Sequence, residues 1–87
     1  SFGLNFLTMR VVGEIPHSSC KITVLAWNNR YLLKIEQGLL EQTYKINEYD
    51  ISGEQDIYAI ASESFIQDSL KLFEAMRDNL QRAVERI

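Results

Sequence analysis

Between Lys21 and Ile46 the chain reverses twice, and both reversals assign the same side chains to the same face. Asn28-Asn29 reads as a two-residue turn, because asparagine tolerates the positive φ that a type I′ turn requires. That turn pairs Ala26 with Tyr31, Val24 with Leu33 and Ile22 with Ile35. A second turn at Gln37-Gly38 sets Ile35 against Leu40 and Tyr31 against Tyr44, and a four-residue loop there keeps the same parity. Side chains alternate across a strand, so a slip of one residue would turn all of these groups over. The chain is thereby held to a sheet with two defined faces.

One face carries Ile22, Val24, Ala26, Tyr31, Leu33, Ile35, Leu40, Tyr44 and Ile46, with Gln42 the polar exception. Burying each large member contributes roughly 1.5–3 kcal/mol before entropy is counted, so this face is the core. The other face carries Lys21, Thr23, Leu25, Trp27, Arg30, Leu32, Lys34, Glu36, Glu41, Thr43 and Lys45. There Lys21 falls opposite Glu36, Lys34 opposite Glu41, and Leu25 opposite Leu32. Trp27 falls opposite Arg30, where a cation–π contact is worth about 0.5–1 kcal/mol at an exposed site. An apolar, aromatic centre ringed by basic groups marks Leu25, Trp27, Arg30, Leu32, Lys34 and Lys45 as a candidate partner-binding surface. The plainer reading is that another part of the chain, or a second copy, covers it.

Upstream, Met9 to Ile15 reads as a strand stopped by Pro16, which cannot donate to a ladder. His17-Ser18-Ser19 makes the turn into strands at about 21–27, 30–36 and 39–46. After Asp50 the period changes. Ser52 with Gln55 resembles a capping box opening a short helix over about 53–61, and Ser64 with Gln67 repeats it before a helix over about 65–87. The long helix has an apolar stripe of Ile66, Leu70, Phe73, Met76, Leu80, Ala83, Val84 and Ile87. At ~1.5 Å per residue a 23-residue helix is about 35 Å long, whereas a seven-residue strand spans about 23 Å. Laid along the sheet, such a helix overhangs it unless it crosses diagonally. Met76, Leu80, Ala83, Val84 and Ile87 are then candidate dimer contacts, with a second copy as the simplest partner. The expected fold is α+β: an antiparallel meander of four strands over 9–46, then a short and a long helix over 52–87 packed on one face.

A chain of 87 residues forms one domain and hides only about 60% of the surface its unfolded form exposes. With 46% hydrophobic residues and a thin core, association is an expected outlet for apolar surface. The net charge of −3 argues against a generic polyanion binder, although the charge is uneven. Residues 1–47 hold five Lys/Arg against three acids, and residues 48–87 hold four against nine. Cys20 is the single cysteine, so no internal disulfide forms, and no Cys/His metal spacing occurs. No segment reaches the ~18 apolar residues of a membrane span. Residues 1–8 lack the basic start of a signal peptide. They read either as a non-native extension ahead of Met9 or, through alternating Phe2, Leu4 and Phe6, as a fifth, edge strand. A cytoplasmic setting is the expectation.

Catalytic chemistry finds little support. His17 and Cys20 share one turn, but a nucleophile needs a base within reach and a third group to orient that base, and none stands out. The acids Glu48, Asp50, Glu54 and Asp56 do not keep the offsets of a calcium loop, and suit the positive end of a helix dipole instead. GxGxxG and Walker-type phosphate loops are absent. No cofactor, metal ligand or catalytic residue is therefore assigned.

The segment Lys21-Ile-Thr-Val-Leu-Ala-Trp-Asn-Asn-Arg-Tyr-Leu-Leu-Lys-Ile-Glu-Gln-Gly-Leu-Leu-Glu-Gln-Thr-Tyr-Lys resembles a family of small bacterial proteins with no assigned activity. The resemblance runs from Met9 into the long helix and implies no catalytic residues. In strand order alone, four strands followed by a helix are similar to the PUR/whirly arrangement, which binds single strands and dimerises; its sequence motifs are not visible here. The expected role is a non-enzymatic protein-interaction or assembly module, homodimeric through the distal helix and using the Trp27 face. Single-stranded nucleic-acid binding is the alternative, and a small enzyme with an unrecognised site comes third.

Overall fold

The computed structural model describes residues 9–87. Strands β1 (Arg10–Ile15), β2 (Lys21–Trp27), β3 (Arg30–Gln37) and β4 (Leu40–Asn47) form one antiparallel sheet in the order β1-β2-β3-β4. A 3₁₀ turn at Glu48–Asp50 leads into helix α1 (Glu54–Ile60) and then helix α2 (Glu63–Glu85). The α+β meander expected from the sequence is the fold. The edge strand suggested over Phe2, Leu4 and Phe6 lies outside the described residues.

Asn28 and Asn29 both adopt positive φ, 53° and 62°, the signature of a type I′ turn. The β2–β3 register follows: Ile22 faces Ile35, Val24 faces Leu33, and Trp27 faces Arg30. The second reversal differs from expectation. It turns at Gly38-Leu39, with Gln37 facing Leu40, Ile35 facing Gln42 and Leu33 facing Tyr44. Gly38 alone of the two has positive φ, +60°. This is the Gly-first pattern of a type II′ turn, which Gln37-Gly38 reverses. The correction slides β4 by two residues, which preserves every face assignment because the side-chain period is two.

The β1–β2 pairing carries a bulge at Val12, with Val11 facing Leu25 and Gly13 facing Val24. Beyond it Arg10 points to the helix side, where its guanidinium lies 3.4 Å from Glu54 of α1. Helix starts also depart from expectation. Ser62, not Ser64, caps α2, its hydroxyl accepting the Phe65 N–H at 3.3 Å. Ser52 and Gln55 form no capping box; Gly53 occupies the cap, and Asp56 accepts the Ser52 N–H at 2.7 Å. Asp56 thus takes the Ser52 N–H that the Gln55 side chain was expected to accept.

The core lies between the sheet and both helices. Ile22, Val24, Leu33 and Ile35 from the sheet meet Ile57 and Ala61 from the α1 end and Ile66 and Phe73 from α2. Gln42, the polar exception, is satisfied there: its amide donates to the Ser69 carbonyl at 2.8 Å and its oxygen accepts the Tyr44 hydroxyl at 2.7 Å.

Candidate functional site

The residues buried on α2 are Ile66, Ser69 and Phe73, all in its first half. Their spacing of three then four continues through Met76, Leu80, Ala83 and Ile87, so one a/d seam runs the length of the helix. The sheet covers only its beginning. Phe65 meets the edge of Tyr44, with ring centroids 5.3 Å apart. Ser69 meets Gln42 at 2.8 Å, and the Arg77 guanidinium donates to the Gln37 side chain at 2.8 Å. The helix therefore runs antiparallel to β4 and reaches the β3–β4 turn at Arg77. Glu85 lies eight residues further on, about 12 Å at ~1.5 Å per residue.

This overhang leaves apolar side chains in solvent. Met76 still packs on the core and Ala83 is half-buried. Leu80 and Val84 are each 55% exposed, and Ile87 is fully exposed. Leu39, at the tip of the turn, is also fully exposed. The angle between helix and turn is a groove of about 410 Å³ lined by Gln37, Gly38, Leu39, Leu40, Arg77, Leu80, Gln81 and Val84. Contiguous apolar surface of this kind is uncommon on a monomer and marks interaction sites. Sequence reasoning had Leu80, Val84 and Ile87 but missed the contribution of Leu39, whose place depends on the corrected turn.

The second face of the sheet holds Leu25, Trp27, Arg30, Leu32, Lys34 and Lys45, as the registers require. Leu32 is buried, Leu25 and Trp27 are half-buried, and Arg30 and Lys45 are exposed. Lys34 faces Thr43 rather than Glu41. The slide of β4 instead places Glu36 opposite Glu41, and the Lys34 ammonium lies 3.7 Å from one and 4.0 Å from the other. Lys21 faces Glu36 in register but lies 4.0 Å from Glu14 on β1. Two of the basic groups on this face are thus engaged by acids.

His17, Cys20 and Glu14 contribute to a smaller pocket of about 290 Å³. The imidazole accepts the Ser19 N–H through Nδ1 at 3.1 Å, so Nε2 carries the proton toward Glu63, 3.3 Å away. The group that orients the histidine is therefore Glu63, 46 residues distant and invisible to local sequence reading. Both ring nitrogens are occupied, leaving none to deprotonate Cys20. Burial, and secondarily the Glu63 charge, push the thiol above its ordinary value, opposite to what an activated nucleophile needs. Among the described residues no group of His, Cys, Asp and Glu is arranged to hold a metal ion, and no helix is long and apolar enough to cross a membrane.

Compared with known proteins, the chain matches no family model, no curated protein and no solved structure.

Proposed function

We propose that this protein is a non-enzymatic assembly module that works as a homodimer through the distal half of α2, with the rim of the Trp27 face, where Arg30 and Lys45 are exposed, as a second contact surface for a protein partner. The observation that carries the reading is the seam of α2, buried against the sheet at Ile66, Ser69 and Phe73 and carried on, same spacing, into open solvent. Leu80 and Val84, half exposed beside a fully exposed Leu39, have no function in a monomer's core. Sedimentation equilibrium tests it. The wild-type mass should rise from one chain toward two with concentration, and Leu80→Asp, a charge on the seam itself, should hold it at one. A wild-type mass of one chain throughout removes the proposal.

Single-stranded nucleic acid is the second reading. It is favoured by Arg30 and Lys45, which flank Trp27 and Leu32 on one face and have no ion pair among the described residues. Stacking on tryptophan with backbone contacts from such cations is how these ligands are held. Quenching of Trp27 fluorescence by an oligonucleotide, weakening steeply with salt, would support it.

A further inference from the structure

Resting on the dimer reading above, we infer that the two copies pack their α2 helices antiparallel, each inserting Val84 and Ile87 beside the other's β3–β4 turn. The direction follows from what already occupies the seam. Along residues 63–76 the sheet covers it, with Ile66, Ser69 and Phe73 buried. A parallel, in-register partner would have to lay its own residues 63–76, with its own sheet attached, against that covered stretch. There is no room for it. An antiparallel partner meets only the overhang and carries its sheet away at the far end.

The seam spacing allows antiparallel registers seven residues apart, and confinement to the uncovered stretch 76–87 selects one of them. Placing Leu80 opposite the partner's Ala83 also places Met76 opposite the partner's Ile87, so large and small or flexible side chains alternate. The flanking positions put Arg77 beside the partner's Val84 and Asn79 beside the partner's Arg86, with no like charges facing. The same register brings the partner's last turn to the 410 Å³ groove, whose walls are Leu39 and Leu40 on one side and Leu80 and Val84 on the other. Arg77, held by Gln37 at 2.8 Å, closes the sheet side of the groove and stops the partner helix there. The groove is an incomplete site in one copy and is filled by the second.

Pulsed dipolar spectroscopy on the dimer tests this, using nitroxides on Asp68→Cys or Arg82→Cys in a Cys20→Ser background. Both positions are exposed and lie off the seam. In the antiparallel register the two copies of residue 68 are offset by 27 positions, about 40 Å along the axis at ~1.5 Å per residue, and the two copies of residue 82 lie within roughly 20 Å. A long distance at 68 with a short one at 82 is the expected result. A dimer mass with both distances short, or both long, overturns the orientation while leaving the dimer intact. A one-chain mass with no dipolar signal overturns both.

Discussion

The Gln42 amide donates to the carbonyl oxygen of Ser69 at 2.8 Å, tying the middle of β4 to the first half of α2. The tie belongs to a closed circuit. Tyr44 donates its hydroxyl to Gln42, Ser69 donates its own to the Phe65 carbonyl at 2.9 Å, and the Phe65 ring returns to the edge of Tyr44. This circuit aims the helix along the sheet, and hence aims its overhang past the turn.

Breaking it with Gln42→Leu should lower stability by about 1–2 kcal/mol, because the Tyr44 hydroxyl loses its acceptor in a half-buried site. Adding Tyr44→Phe removes the stranded group, so the double variant should lose less than the sum of the single changes. Urea denaturation of the three variants measures the coupling; strict additivity would mean that the two side chains act independently.

The Asn28-Asn29 reversal makes a separate prediction. With φ at 62°, Asn29 sits where a β-branched residue is strained and glycine is not. Asn29→Val should cost about 1–2 kcal/mol and Asn29→Gly should keep or raise the melting temperature. A loss with glycine as large as that with valine would contradict the turn assignment.

Two residues on the same seam of α2 should behave in opposite ways. Phe73 is fully buried, so Phe73→Ala should cost about 3–5 kcal/mol by leaving a cavity. Leu80 is 55% exposed on the overhang, so Leu80→Asp should leave the far-ultraviolet spectrum of a dilute sample unchanged and remove only the concentration dependence of its melting.

Acid should act through Glu63. The Gln67 amide, 2.6 Å from its carboxylate, and then the His17 ring hold its pKa below the ordinary 4.5. A depressed folded-state value means stabilisation present above pH 4.5 and lost as pH falls through the folded value. Glu63→Gln should therefore melt lower than wild type near neutrality, with the two curves converging in acid. A gap that widens below pH 4 would reverse the sign and refute the assignment.

Much of this fold was legible because its signals are local. Asn-Asn set one turn, alternation set both faces, and helical spacing placed Ile66 and Phe73 on the buried stripe of α2, whereas Ser69, polar and so left off that stripe, is buried with them. The two-residue error at the second turn came from reading Gln37-Gly38 instead of Gly38-Leu39, and the parity of the strands absorbed it. What the error hid was Leu39, and with it one wall of the groove. The helix starts were misplaced because several serines competed as caps, and the backbone donor each could reach depended on how the chain entered the helix.

The chain by itself determined which residues share a face, since strand and helix periods are properties of the backbone. It also determined that a helix of this length exceeds the sheet, since rise per residue is constant. Only the tertiary structure decided where along the helix burial ends, which carboxylate reaches His17, and that Glu36 and Glu41 face each other across one lysine. Those outcomes join residues far apart in sequence, and their distances are set by how the helices settle on the sheet, which no local pattern encodes.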